Sequence, residues 1–536
     1  MGGVTMTIVR RLCVSLLLIV SVVYGQHTPV MAAASAYATK YVTSITYMNV
    51  GTADANLSVT MYDATGTDTV DYALTNPDGS VRSIAPNASA SLSVSSITSL
   101  NSDWKGGAVI SSNQPLVATV VQVSNDAVIK TRPVSNGFSS SDGSANIIIP
   151  TVLKTCFADS LTTRFNVQNV SSGSVNVTVT LKWPNGNTAA TPVNSQAVTA
   201  GDVVSVDLGS ISSFTPATGY TPPTGCAFNG SAIITATGGN VVATALEASI
   251  TNRYANSFEG FKGTDSDGAA TVYMPTALCN INYGDGAQST AYAIQNLANT
   301  ANTVTVTYNY QVRASNGTLG SATSTAVNLT IPIGSKASVP GCQTALTSVG
   351  NSTTLTGTAM PANAVGSAVI TASNGNIVAI GKVIGAGISA ATPGITTGSA
   401  KVVVPYVRYS NQCFTPVPSA AICRSESRQR TLFAVQNVGS GSAAVTMKLY
   451  DHNGVQVGSD FSTTIAAGAK ASLSPANVTP AVGTSNEFGY WEVNGAIVYA
   501  GSAVFTATGS TIAVVTRVLS MTPLGQAGED FNGIPQ

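Results

Sequence analysis

A chain of 536 residues has room for about four domains. Only 9% of it is charged, against roughly 25% in an ordinary globular protein, and its 23 Lys+Arg cancel its 23 Asp+Glu. That balance leaves no field to steer nucleic acid or an acidic substrate, so neither is an expected partner. The alternation of Ser, Thr and Asn with apolar residues argues for folded β-structure rather than disorder.

The N-terminus reads as an export signal over residues 1–25. Arg10 and Arg11 precede the apolar run Leu12 to Val23, and small residues follow, with cleavage after Gly25 or after Ala36. The run is short for a bilayer span. No second apolar segment of spanning length follows, and no sorting tail ends the chain. A secreted, extracellular or cell-surface protein with no membrane span after cleavage is expected.

From there one short phrase returns roughly every 120 to 140 residues: Tyr47-Met-Asn-Val-Gly51, Val167-Gln-Asn-Val-Ser171, Ile294-Gln-Asn-Leu-Ala298 and Val435-Gln-Asn-Val-Gly439. An alternating strand follows each copy, such as Leu57-Ser-Val-Thr-Met61 or Val175-Asn-Val-Thr-Val-Thr-Leu181. A second anchor comes later: Gly107-Ala-Val-Ile, Gly230-Ser-Ala-Ile-Ile, Gly366-Ser-Ala-Val-Ile and Gly501-Ser-Ala-Val-Phe. A third, an apolar triplet before proline, opens three of the repeats at Ile147-Ile-Ile-Pro150, Val272-Tyr-Met-Pro275 and Val402-Val-Val-Pro405. These anchors divide the chain into modules over 26–143, 144–268, 269–398 and 399–536. About seven or more short strands with turns at this spacing, and no capped helix-period stretch, give an all-β fold of four tandem immunoglobulin-like antiparallel β-sandwich modules. Repetition at domain length predicts a string of such modules.

Cys13 leaves with the signal, and six cysteines remain. Six allow fifteen pairings, but modules two, three and four hold two each, which selects Cys156–Cys226, Cys279–Cys342 and Cys413–Cys423. Zinc fits poorly, because no Cys-x-x-Cys occurs and histidine is nearly absent.

The apolar-triplet-Pro, Val-Gln-Asn-Val-Gly and Gly-Ser-Ala-Val-Ile set, repeated behind a signal peptide, resembles the secreted tandem immunoglobulin-like β-sandwich repeat proteins of filamentous surface-living bacteria. That resemblance implies a cell-surface or extracellular structural role and brings no catalytic residues with it.

The search for chemistry returns little. The chain has two histidines, His27 beside the signal and His452 in the turn Asp451-His452-Asn453-Gly454, so a Ser-His-Asp triad repeated by module is excluded and His452 reads as an exposed turn residue. Paired carboxylates suffice for a glycosidase; Glu247, Glu259, Asp265 and Asp267 fall near module ends, and Glu487 and Glu492 flank Phe488-Gly-Tyr-Trp491. No acid recurs in a shared position across modules, so no enzyme and no cofactor are expected. Asp265-Ser-Asp267-Gly268 is a fragment of a calcium loop at a module junction, short of the six to eight oxygens the ion takes; a linker turn is the simpler reading. Cys423-Arg-Ser-Glu-Ser-Arg-Gln-Arg430 is the one dense charge patch, and Arg424, Arg428 and Arg430 could grip a neighbouring copy or an anionic glycan.

At the first module, Pro29-Val30-Met31 lies where the others carry their apolar triplet, Pro29 standing 20 residues before Asn49 and Pro150 standing 19 before Asn169. The first module thus has a weak or missing opening strand, which a neighbouring subunit could complete by β-strand addition. The sequence therefore points to a self-assembling homo-oligomeric or polymeric subunit of a filament, sheath or surface layer. The alternative is a monomeric adhesin stalk or carbohydrate-binding surface protein.

Overall fold

In the strand Val175–Lys182, Val175, Val177, Val179 and Leu181 are buried while Asn176 faces solvent, the period-2 pattern of a strand covered on one face. The same alternation recurs along the chain, and the computed structural model is all-β, 64% strand and 4% helical, with several antiparallel sheets. It describes residues 41–536 apart from 64–68, 75–81, 102–103, 125–130, 158–159, 250–253, 283–285, 343–353, 386–387, 409–428, 479–489, 494–495, 500 and 523–524.

One succession of strands recurs in the four segments. An asparagine strand (Tyr41–Asn49, Thr162–Asn169, Ala287–Asn296, Gln429–Asn437) ends on the repeated Asn. It lies between a fifth strand (Ser89–Ser93, Val203–Asp207, Lys336–Pro340, Lys470–Leu473) and a seventh strand (Leu116–Ser124, Val241–Ala248, Ile377–Gly385, Ile512–Thr522). The seventh pairs in turn with a closing strand (Val134–Asn136, Ala255–Glu259, Ile388–Pro393, Gly525–Asn532). The second sheet of each segment runs from an edge strand (Thr69–Ala73, Thr188–Val198, Thr323–Ile331, Gln456–Ile465) through a third strand (Ala55–Asp63, Val175–Lys182, Asn302–Val312, Ala443–Asp451) to a glycine strand (Gly106–Ser112, Phe228–Thr237, Ala364–Ala372, Gly501–Thr508). In segments two to four an opening strand (Asn146–Lys154, Thr271–Cys279, Lys401–Val407) pairs with the far side of the glycine strand. In segment one, among the described residues, the glycine strand pairs with the third strand alone.

Side chains from both sheets of a segment meet in one core. In segment two, Val177, Leu181 and Ile234 from one sheet meet Phe165, Val167 and Ala243 from the other. These cores do not stay separate. Ile380 and Ala391 of segment three join the core of segment two, and Val121 and Val134 of segment one join that of segment four.

The expected string of modules is therefore not what forms. Each segment meets the next through the same two surfaces, and the fourth meets the first. On one surface, the turn before the fifth strand packs against the end of the third strand or the start of the glycine strand of the preceding segment. Gly201 lies so close to the Tyr62 ring that a Cβ would stand 2.3 Å from it. The Lys336 backbone N–H donates to Pro184 O at 3.2 Å, and Lys470 Nζ donates to Gly366 O at 2.8 Å. At the closing contact a Cβ on Gly454 would lie 2.3 Å from Pro86 O, while Ser502 Oγ donates to Asn87 O at 3.1 Å. On the other surface the four closing strands contact one another in cyclic order; those of segments three and four join in parallel at Ile388 and Gly528, fusing two sheets into one of nine strands. A head-to-tail contact repeated four times has closed on itself, as heterologous interfaces do when their rotation permits.

Candidate functional site

The repeated asparagine has a structural task in all four segments. Asn169 Nδ2 donates to Gly173 O at 2.7 Å and Val198 O at 3.0 Å, while its Oδ1 accepts from the Ser171 backbone N–H at 2.8 Å. Asn49 makes the same set with Ala53 O, Ile84 O and Gly51 N–H, Asn296 with Thr300 O, Ile331 O and Ala298 N–H, and Asn437 with Gly441 O, Ile465 O and Gly439 N–H. One amide thus closes its own Asx turn and holds the chain entering the next turn. The strongest motif in the sequence is a pin between turns; it carries no chemistry of its own.

Charge has been withdrawn to the joints between segments. Glu247 is fully buried and pairs at 2.6 Å with Lys382 of segment three, whose Nζ also donates to Thr151 Oγ1 at 3.1 Å and sits 5.5 Å from the centre of the Phe258 ring. Beside it Asn256 Nδ2 donates to Ser389 Oγ at 2.8 Å. Lys336 and Lys470 stand at equivalent places, two residues past Gly334 and Gly468, and both reach back to the preceding segment, Lys336 to Asn229 Oδ1 at 2.5 Å. Arg517 clasps Asp530 at 2.5 Å and approaches Gln288 Oε1 at 3.4 Å. None of this follows from strand periodicity, although the shared offset of the two lysines after glycine was visible in the sequence.

Around the ring axis the closing strands present Asn136, Glu259, Pro393 and Asn532 at equivalent positions. Asn136 donates its backbone N–H to the Glu259 carboxylate and its Nδ2 to Asn532 O at 2.9 Å, and Asn532 Nδ2 donates to Pro393 O at 2.8 Å. Glu529, 1% exposed, has the Arg132 guanidinium at 3.6 Å, and Tyr406 and Arg408 also act on its carboxyl. Burial raises the carboxyls of Glu529 and Glu259 to about 7, against the opposing pull of Arg132 and of the Asn136 N–H respectively. Burial likewise lowers Lys336 to about 7, helped by Lys382, and Lys470 to about 8, helped by Arg517.

These shifts set a pH dependence. A carboxyl raised in the folded state stabilises the fold below its unfolded value near 4.5 and loses that contribution as pH climbs through about 7. The depressed lysines contribute little in most of that window, since they are still charged there in both states, and favour the fold as pH rises through about 7 to 8. Stability should therefore rise on going from pH 7 to pH 5, by about 2 kcal/mol for each carboxyl. Thermal unfolding across this range measures it, and Glu529→Gln should remove about half of the gain; an unfolding temperature that falls steadily with acid would refute the assignment.

The other sequence-derived candidates separate. The disulfides Cys156–Cys226 and Cys279–Cys342 are formed. Asp265 Oδ1 accepts from the Asn376 backbone N–H at 2.9 Å, and Asp267 caps its own turn by accepting from the Thr264 N–H at 3.1 Å. Asp142 makes the same cap at the preceding junction, accepting from the Ser139 N–H at 2.7 Å. Among the described residues no three His, Cys, Asp or Glu gather as a metal site. His452 is half-buried rather than exposed, because its turn docks on segment one. Arg430 is the second residue of the last asparagine strand and is exposed. Pro29, Val30, Met31, Cys413, Cys423, Arg424, Arg428 and Glu487, with the signal segment, lie outside the described residues, as do the side chains of Trp491 and Glu492.

One large cavity, of about 2510 Å³, reaches from the space between segments one and two to residues of segments three and four, among them Thr396, Val402 and Val514. It is lined on one side by Tyr47, Ala108 and Ile110 and on the other by Arg164, Asn166 and Leu246. Among the described residues no helix is long and apolar enough to cross a membrane. Comparison with known protein families and with curated proteins gives no match.

Proposed function

We propose that the chain is an exported structural protein of the cell surface, built from four immunoglobulin-like β-sandwich modules closed into a ring, which assembles with copies of itself through the outer edges of its sheets. The observation that carries this reading is the character of the four edge strands. Among the described residues each ends its sheet along most or all of its length, and the charges within them are Asp71 and Asp460. Monomeric proteins blunt such edges with charges, proline, bulges or a covering element, because a bare ladder of N–H and C=O groups recruits another strand. Here Thr188–Val198 carries Pro192 and a bulge and Gln456–Ile465 a bulge, while Thr69–Ala73 and Thr323–Ile331 carry neither. Two further facts support it: the formed disulfides suit an oxidising exterior, and the charges that would keep a monomer apart are few and partly engaged between segments. Since the head-to-tail surfaces are used within one chain, lateral pairing of sheet edges is a route still open to assembly.

Negative-stain electron microscopy of the purified mature protein should show filaments or sheets. The variant Ser462→Lys/Thr464→Lys places two charges on exposed positions of the edge strand Gln456–Ile465 and should lower assembly at least tenfold with the fold intact. Dispersed single particles at high concentration in the parent protein would sink self-assembly and bring the adhesin reading forward.

A further inference from the structure

Among the described residues Lys336 is the one lysine that stands with the large aromatic side chains as fully buried, at 1% exposed. It opens the fifth strand of segment three and reaches across the joint to Asn229, 2% exposed, the second residue of the glycine strand of segment two. Its backbone N–H is fixed on Pro184 O at 3.2 Å, and its Nζ donates to Asn229 Oδ1 at 2.5 Å. Asn229 is held in turn by its register with Leu153 of the opening strand. Both ends of this contact are anchored on strands and lie away from solvent.

A buried ammonium ordinarily needs a carboxylate in contact with it. Glu247, the carboxylate whose field reaches Lys336, is paired at 2.6 Å with Lys382 instead. Burial, helped by the Lys382 charge and against the pull of Glu247, brings the Lys336 ammonium down to about 7. Near pH 7 about half of it is therefore the free amine, a nucleophile. The group it touches is a carboxamide. A nitrogen hydrogen-bonded to an amide oxygen lies roughly 3–3.5 Å from the amide carbon, the separation of a near-attack pair. Rotation of the Asn229 amide about its last bond, a soft torsion, turns the face of that carbon toward Nζ.

We propose that Lys336 and Asn229 join in an isopeptide bond within the chain, which ties segment two covalently to segment three. The Nζ–Cγ bond forms and the Cγ–Nδ2 bond breaks. One proton of the attacking amine passes to Nδ2, which leaves as ammonia, so the reaction consumes neither water nor an oxidant. Glu247, held by Lys382 and by Asn256 Nδ2 at 3.4 Å, is the carboxylate available to carry that proton. The product puts a neutral amide where a buried ammonium stood, and so relieves the desolvation of a charge. Once linked, Lys336 no longer titrates, which leaves Lys470 as the depressed lysine of the pair. Lys470 also shows why the bond belongs to one joint. It stands at the same offset after glycine but donates to Gly366 O, and Val365 occupies the place of Asn229, so no carboxamide is there to react. The bond lies within one chain and does not depend on assembly with other copies.

The test is mass spectrometry of a reduced tryptic digest of the folded parent protein. The expected result is no cleavage after Lys336 and a branched product that joins the Asn229 peptide to the peptide spanning Lys336. That product should be lighter than the sum of its two parts by about 17 Da, the mass of ammonia. Lys336→Arg should give linear peptides alone. Separate linear peptides from the folded parent, with cleavage after Lys336, would overturn the bond, and no misfolded variant can obscure that result. Loss of ammonia confined to a linear Asn229 peptide would mean cyclisation onto Gly230 and would overturn it equally. A branched product lighter by about 18 Da would mean a carboxyl partner in place of Asn229. In a protein that still unfolds cooperatively, Glu247→Gln should lower the linked fraction at least tenfold and Glu247→Asp should restore part of it. An unchanged fraction in Glu247→Gln would remove Glu247 from the proton transfer.

Discussion

Replacing Asn169 by alanine is expected to loosen segment two by about 3 kcal/mol, roughly one for each hydrogen bond removed. The three bonds tie the turn at Ser171, the turn at Gly173 and the end of the edge strand at Val198 to a single side chain. Alanine leaves Val198 O without this donor in the core, and the loss of an interior partner costs more than a surface bond. Native-state hydrogen exchange reads the effect directly, as exchange from Thr162–Asn169 that is roughly a hundredfold faster. Asn169→Asp is the control: it keeps the acceptor for the Ser171 N–H but sets a buried carboxylate oxygen against Gly173 O and Val198 O, so it should cost at least as much as alanine. If alanine proves harmless, the repeated phrase is not a pin and its recurrence needs another cause.

The second large effect lies between segments two and three. Lys382→Met should destabilise the protein by about 3–5 kcal/mol, because it strips the partner from a carboxylate with no exposed surface. Changing both residues, as Lys382→Met/Glu247→Leu, should return most of that loss, since desolvating two charges offsets much of their attraction. A double-mutant cycle on unfolding separates these outcomes. Additive single effects would mean that Glu247 is already satisfied without Lys382, most simply by Asn256 Nδ2 at 3.4 Å. The pair joins two segments, so the single variant should also weaken the joint relative to either core.

The sequence and the structure divide the description of this protein along a physical line. Features that repeat within a few residues were legible. The alternation of Val175-Asn-Val-Thr-Val-Thr-Leu181 set the strand and its covered face, and Asn169 followed by Ser171 marked the turn. The cysteine positions gave Cys156–Cys226 and Cys279–Cys342. Each of these depends on neighbours along the chain or on comparison between repeats, and both are written in one dimension.

Closure into a ring was not legible. It rests on Gly201 meeting Tyr62, Gly454 meeting Pro86 and Lys382 meeting Glu247 across 135 residues. Such contacts have no period, and a glycine that admits a neighbouring ring looks like any turn glycine until the neighbour is in place. Acids and bases that looked like sparse surface charge proved to be the joints, because burial and partner choice are settled only when the surfaces meet. Local sequence determined the strands, the turns and the repeat; tertiary packing alone decided which faces the repeats show to each other.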